Sequence, residues 1–351
     1  MLLIFAAAAL IWLNCSMNRR NLLNYLKTKL ILALFIICAN ALLFLYGCSS
    51  MYKETYAGNE EENGEPVKNA SVDYIYGIPM DDKAGVIKET AADVYTRPDV
   101  KSERITQALY NQPVSILQEE NGWAKVKVVD GATGWMKLKH IERSVSSIYG
   151  RTFTHKILVT SKEKSVYSSP SGGITVAIVP MGAELYAFNS SGADTYEVFL
   201  PGNKTGWVMG SGIIHIGLGE KTPVTNAEDF AATAKRFKGV AYLQNGRSFL
   251  GIDAHGLIYI CARINGIDLP CSLEGQLNTG TEIKPEDAST GDLVFLSEDG
   301  EEEKGKISCV GICTGDGNYI YAGRRTGYVA VGDMKKANAD GKVVAARRIF
   351  N

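Results

Sequence analysis

The side chains able to attack a carbonyl or move a proton are few. The 351-residue chain holds four histidines (His140, His155, His215 and His255) and seven cysteines (Cys15, Cys38, Cys48, Cys261, Cys271, Cys309 and Cys313). Beyond residue 224 a single imidazole, His255, accompanies four thiols. A thiolate attacks a carbonyl when a neighbouring imidazole takes its proton and a third polar group fixes the ring. His255 is the one natural candidate for such a base in this region. Cys309 reads as strand-borne, however, and so lacks the helix-terminus field that lowers a thiol pKa. There is no Cys-x-x-Cys pair, which argues against a zinc ribbon or a dithiol redox site. Cys309 and Cys313, four apart on a strand, lie about 13 Å apart, too far to share a metal or a disulfide. No metal and no cofactor is therefore expected. Cys261, Cys271 and Cys313 read as small buried apolar residues. A Cys271–Cys309 disulfide stays open as an alternative in an oxidising compartment.

The elements that must position these groups are legible from periodicity and composition. Residues 224–351 read as α+β. A short helix is expected over Asn226 to Phe237, where Ala231, Ala232 and Ala234 are good formers. A second begins near Ala254 and runs to Asn265, followed by strands at Asp292–Leu296, Ser308–Thr314, Asn318–Ala322 and Val343–Ile349. Upstream the chain repeats itself. Val94-Tyr95-Thr96-Arg97-Pro98 returns as Val166-Tyr167-Ser168-Ser169-Pro170, and Thr133-Gly134-Trp135-Met136 returns as Thr205-Gly206-Trp207-Val208, both at an offset of 72 residues. Alternation of period two, as in Trp123-Ala124-Lys125-Val126-Lys127-Val128, predicts half-buried strands. The two units are placed at 85–145 and 150–217. Trp123, Trp135 and Trp207 are expected to pack in their cores.

The first 47 residues read as an export signal. Arg19, Arg20, Lys27 and Lys29 flank an apolar run from Leu30 to Gly47, and Leu45-Tyr46-Gly47-Cys48 resembles the lipobox of bacterial lipoproteins. That resemblance implies cleavage before Cys48, lipid on its thiol and a membrane partner through the lipid. An uncleaved membrane anchor is the alternative, since 18 apolar residues can just span a bilayer. Residues 48–84, with Glu60-Glu61-Glu62, read as a flexible tether. A net charge of -1 argues against nucleic acid as a partner, because phosphate binding needs a basic surface.

The repeated units, with their Val-Tyr…Pro opening and Gly-Trp pair, resemble bacterial Src-homology-3-like domains. The C-terminal region resembles the NlpC-type cell-wall cysteine peptidases, which are papain-like. Tyr242-Leu243-Gln244-Asn245-Gly246 looks like the family's approach to the active site. Asp253-Ala254-His255-Gly256 looks like its nucleophile motif, Asp-Cys-Ser-Gly. Ser308-Cys309-Val310-Gly311 looks like its Ser-His-Val-Gly block, and Gly315 to Ala322 fits the segment with the third catalytic position. The layout as a whole resembles the subfamily that cleaves after γ-D-glutamate in cell-wall peptides. The expected architecture is two SH3-like β-barrels followed by a papain-like α+β domain.

The resemblance also marks departures. The nucleophile position holds Ala254, the imidazole position Cys309 and the third position Tyr321. Alanine cannot attack a carbonyl. What the family uses to hold the peptide's N-terminal end is kept in part: Tyr242 and Asp253 match, Arg247 lies beside them, and Glu103 of the first β unit fits its acidic contact loosely. Asp253 has a plainer reading as the cap of the helix that starts at Ala254. Gln244 and Ala132 stand where the family has aromatic residues. Three readings follow. The first is an exported lipoprotein that binds peptidoglycan stem peptides or muropeptides without cutting them. The second is an active peptidase with a Cys309/His255 dyad. The third is a structural lipoprotein with a protein partner.

Overall fold

The computed structural model describes residues 72–192, 194–297 and 307–350. The expected signal segment, Cys48 and the tether as far as residue 71 lie outside these residues. Among the described residues no helix is long and apolar enough to cross a membrane.

Order begins before the expected end of the tether. β1 (Tyr74–Ile75) and β2 (Ile78–Pro79) pair as a hairpin through Tyr76 and Gly77, both at positive φ, as a two-residue turn matched to strand twist requires. The reason for the difference is apolar. Ile78 is fully buried, and Ile75 and Met80 pack against Val86, Ile148 and Tyr186.

The first β domain is built from β3 (Ala84–Ile87), β4 (Ala91–Tyr95), β5 (Arg104–Leu109), β6 (Pro113–Glu120), β7 (Trp123–Val128), β8 (Thr133–Lys137) and β9 (Ile141–Glu142). The second uses β10 (His155–Val159), β11 (Glu163–Ser169), β12 (Gly172–Pro180), β13 (Glu184–Ser190), β14 (Thr195–Leu200), β15 (Lys204–Met209) and β16 (Ile213–Gly217). Their sheets run β5-β4-β8-β7-β6-β3-β9 and β12-β11-β15-β14-β13-β10-β16. Matched strand for strand, these are one topology used twice, as the sequence repeat predicts. The repeat extends to register: Tyr95 pairs with Trp135, and Tyr167 with Trp207. The glycine of each Thr-Gly-Trp is required at this close approach. A Cβ on Gly134 would lie 2.6 Å from the Tyr95 carbonyl oxygen, and one on Gly206 would lie 2.6 Å from Val166 Cγ1.

The tryptophans are a correction. Trp123, Trp135 and Trp207 are half-buried, whereas their neighbours Ala124, Met136 and Val208 are fully buried. Strand alternation sends neighbouring side chains to opposite faces, so the small and aliphatic residues fill the interior and the indoles cover the outside.

The C-terminal domain starts with α1 (Ala227–Lys235), capped by the Asn226 side chain on the Asp229 N–H. β17 (Arg247–Ser248) and β18 (Gly251–Ile252) lead into α2 (Ala254–Ile264), and α3 (Leu273–Leu277) follows. β19 (Thr281–Ile283), β20 (Leu293–Ser297), β21 (Ile307–Gly315), β22 (Asn318–Ala322), β23 (Val329–Asp333) and β24 (Lys342–Arg348) form an antiparallel sheet in the order β19-β24-β20-β21-β22-β23. α2 lies on β21 and β22 and buries Leu257, Ile258, Ile260, Cys261 and Ile264. Each of the aliphatic side chains among them contributes roughly 1.5–3 kcal/mol. The fold is α+β with SH3-like domains before a papain-like one, as expected.

The second β domain and the C-terminal domain share one apolar core, which Leu109 and Tyr110 of the first β domain join, while the rest of the first β domain has its own. A buried polar node ties all three. Arg263 of α2 reaches Glu184 at 2.7 Å, the Tyr76 hydroxyl donates to the same carboxylate, and Asn111 Nδ2 donates to the Glu184 carbonyl at 3.0 Å.

Candidate functional site

The site centres on the first turn of α2, where four backbone N–H groups lack intrahelical partners and the helix dipole is positive. Asp253 is the cap. Its Oδ1 accepts from the Gly256 N–H at 2.8 Å, and its Oδ2 accepts from the Asn245 N–H at 2.7 Å. One carboxylate thus fixes the start of α2 and the preceding turn together. Asn245 sits at φ 57, a left-handed position asparagine tolerates. Its Nδ2 donates to the Arg104 carbonyl of the first β domain at 2.6 Å. Gly256 allows the turn to press on the helix, since a Cβ there would lie 2.3 Å from the Gly246 carbonyl oxygen.

Ala254 is the first residue of α2 and is buried, so a methyl group stands where a helix terminus would activate a thiol. His255 follows. Its Nε2 lies 3.2 Å from Asp253 Oδ2. Burial holds the imidazole below its ordinary value, against the opposing pull of the Asp253 charge, with Arg247 adding to the lowering. The ring is therefore a neutral imidazole at neutral pH. Burial raises the Asp253 carboxyl, opposed by His255, the Gly256 and Asn245 N–H groups and Arg247. Gln276, fully buried, holds the same turn from below: its Nε2 donates to the carbonyls of His255 and Pro270 at 3.0 and 2.9 Å.

Cys309 is buried on β21, its Sγ 3.8 Å from the carbonyl oxygens of Val310 and Ala322. Cys261, Cys271, Cys309 and Cys313 form no disulfide, so the Cys271–Cys309 bridge is not made. Cys261 and Cys313 are buried as expected, whereas Cys271 is only partly buried, and burial pushes the Cys313 thiol up to about 12. Tyr321, on β22, points its hydroxyl at Thr326 Oγ1, 3.2 Å away. The Thr326 hydroxyl in turn donates to Asp340, whose carboxylate also accepts the N–H groups of Arg325 and Thr326 at 2.6 and 3.1 Å. These hydrogen bonds shape the turn that presents the Gly327 carbonyl to the Tyr242 N–H at 2.8 Å. That backbone contact sets the position of the half-buried Tyr242 ring beside the first turn of α2. Burial first, then the Asp253 charge, push the Tyr242 phenol up to about 12, so it is a neutral donor.

The first β domain closes one side. Arg104 bridges, with Nε 2.6 Å from Asp93 Oδ1 and an NH group on the Gln244 carbonyl at 3.1 Å. Gln107 Oε1 accepts from the Arg247 N–H at 2.8 Å. Arg247 itself differs from expectation. Its guanidinium is buried, 2.6 Å from Asp130 of the first β domain and over the Tyr259 ring, so it joins domains and leaves little to offer a ligand. Glu103 is exposed, and its neighbour Arg104 is the residue that reaches the C-terminal domain. Arg104, Gln107 and Asp130 were not legible as site-forming, because alternation marks which face a residue takes and not what lies opposite. Among the described residues no group of three or more His, Cys, Asp or Glu side chains could hold a metal ion.

Residues 239–348 match the NlpC/P60 family, and residues 90–142 match the bacterial SH3 domain. The chain is 28% identical over 232 residues to a gamma-D-glutamyl-L-lysine dipeptidyl-peptidase of Bacillus cereus, covering 62% of this chain and 67% of that one. It is 25% identical over 108 residues to the cell wall-binding protein YwsB of Bacillus subtilis, covering 30% of this chain and 59% of that one. A crystal structure of an NlpC/P60 family protein from Bacillus cereus superposes with a TM-score of 0.66 at 24% identity, covering 76% of this chain and 100% of that one.

Proposed function

Given a chain that carries a bacterial SH3 domain and an NlpC/P60 domain, we propose that it binds cell-wall stem peptides at the first turn of α2 and does not cleave them. The observation that carries this reading is the methyl group of Ala254 at the first position of α2. Thiol peptidase chemistry needs a thiolate at that terminus and an imidazole to take its proton. The features that would hold a peptide stand beside it: the Tyr242 phenol as a neutral donor, and the N–H groups of Ala254 and His255 in the first helical turn for a carbonyl oxygen. The similarity to a gamma-D-glutamyl-L-lysine dipeptidyl-peptidase supports a γ-D-glutamyl peptide as the ligand class. The proposal places these domains outside the cytoplasm, on a lipid carried by Cys48, on the strength of the sequence from Leu30 to Cys48.

The test is a paired assay of the full chain in detergent with L-Ala-γ-D-Glu-L-Lys. Calorimetry reads binding, and mass spectrometry of the same sample reads cleavage. Binding without cleavage is expected. Cleavage overturns the reading, and absence of both favours a lipoprotein that engages a protein partner.

A second reading has one observation in its favour. The Asp253 carboxylate 3.2 Å from His255 resembles the orienting half of a thiol peptidase triad. It would make Cys309 the nucleophile, and Cys309→Ala would then abolish turnover.

A further inference from the structure

A cleft of about 500 Å³ opens between the two β domains, lined by residues of both and by none of the C-terminal domain. That volume lies within the range of small-ligand sites. Its walls are fixed. Asn203 Oδ1, in the turn before β15, accepts from the Ser146 hydroxyl and from Arg151 at 3.1 Å, which ties the second domain to the segment joining the two.

The lining combines three features. Tyr110 is 7% exposed, yet its hydroxyl makes no hydrogen bond to any described residue. Its ring packs in the apolar core while the hydroxyl stays open to the cleft, where a ligand can meet it. Ile178 is 48% exposed and gives an apolar edge. Lys88, Glu89, Glu142 and Lys204 supply two positive and two negative groups, and none forms an ion pair with another described residue.

We propose that this cleft is a second ligand site, separate from the turn of α2, for a short peptide bearing both a free ammonium and a free carboxylate. Charge balance selects that class. A polyanion would meet Glu89 and Glu142, and a neutral sugar would cover four charges without offering a counter-charge to any. A zwitterionic peptide offers an ammonium to the glutamates, a carboxylate to the lysines, a carbonyl oxygen to Tyr110 and a small apolar side chain to Ile178.

The test uses the full chain in detergent, calorimetry, and three probes: L-Ala-γ-D-Glu-L-Lys, the same peptide with both amines acetylated and both carboxyls amidated, and tetra-N-acetylchitotetraose. Ala254→Trp fills the α2 turn, while Ile178→Asp with Lys204→Glu alters the cleft at two exposed positions. The expected result is that Ala254→Trp retains one equivalent of peptide binding. In that background the cleft pair and end-capping each weaken binding at least tenfold, and Tyr110→Phe weakens it several-fold. Loss of all peptide binding in Ala254→Trp overturns the cleft site and leaves the α2 reading standing. A single site in the unaltered chain that ignores Ala254→Trp but fails in the cleft pair does the reverse. Chitotetraose binding that fails in the cleft pair, with peptide binding unaffected, also overturns the proposal.

Discussion

Nε2 of His255 lies 3.2 Å from Oδ2 of Asp253, within the first turn of α2 that the same carboxylate caps. The imidazole is thus oriented from beside the position that Ala254 holds, not from the strand across from it, where Cys309 stands. Asp253 has three demands on it: the Gly256 N–H, the Asn245 N–H and the His255 ring. The structural role read from its capping position and the binding role read from its resemblance therefore fall on one side chain. Substitution separates them.

Asp253→Ala is expected to destabilise the chain by about 2–3 kcal/mol, because it removes a helix cap and leaves two N–H donors without an acceptor. Asp253→Asn keeps one acceptor and is expected to cost about 1 kcal/mol. Urea denaturation followed by tryptophan fluorescence checks both. Equal stability of Asp253→Ala and the parent would show that the cap carries no weight.

His255 sets a pH dependence whose sign is fixed by its environment. Burial lowers its folded pKa below the ordinary value of 6.5. Between that value and the lower folded one, the unfolded chain binds the proton and the folded chain does not, so stability falls as pH drops below about 6.5. The Asp253 carboxyl is raised by burial and acts in the opposite sense, at lower pH, starting above its ordinary 3.8. His140 and His155 are also lowered by burial, but both persist in a His255→Gln variant. The difference in stability between parent and His255→Gln, measured in urea from pH 7.5 to 5.5, should therefore move against the parent as pH falls. A difference independent of pH would sink the assignment.

The Arg247–Asp130 pair, 2.6 Å apart and with both side chains buried, makes the first β domain part of the site. Arg247→Met leaves a buried carboxylate with only the Thr106 hydroxyl and the Ala132 N–H, and is expected to cost about 3–5 kcal/mol. Arg247→Met with Asp130→Leu should recover most of that loss, since apolar replacement of a buried pair is often near neutral. A double-mutant cycle in urea measures the coupling. Additive losses would mean that the two groups do not interact.

The fold was legible where local rules decide it. The 72-residue repeat carried over to strand order and to the Tyr95–Trp135 and Tyr167–Trp207 pairs. Ala254 began a helix because Asp253 could cap it. Some elements escaped: α3 and β19 have too few residues for a period to show, and β23 carries Gly332 and Asp333, which interrupt its apolar run. The indoles were misplaced because a tryptophan's size suggests a core, whereas strand parity put alanine and methionine there. Arg247 looks like a ligand contact from sequence because nothing in its own segment announces Asp130, 117 residues upstream. Contacts between domains are decided by surfaces that meet only after each domain has folded.

Ala254 puts a methyl group at the start of α2, and a thiol can be placed there instead. A thiol introduced by Ala254→Cys would stand at the first position of an 11-residue helix, where the positive end of the dipole favours thiolate. It is expected to alkylate with iodoacetamide at neutral pH faster than Cys313, whose thiol is buried and raised to about 12. Alone it should give no measurable turnover, because His255 is held by Asp253 on the same turn and Cys309 occupies the place across from it. Ala254→Cys with Cys309→His would put thiol and imidazole on the helix start and the facing strand. Cleavage of L-Ala-γ-D-Glu-L-Lys by that double variant, and by neither single variant, is the expected mass-spectrometric result. It would mean that the peptide groove is intact and only the reacting groups have been lost. If the double variant folds and binds the peptide but does not cleave it, Tyr321 becomes the next position to restore, since a phenol tied to Thr326 does not orient an imidazole as a carboxylate or carboxamide does.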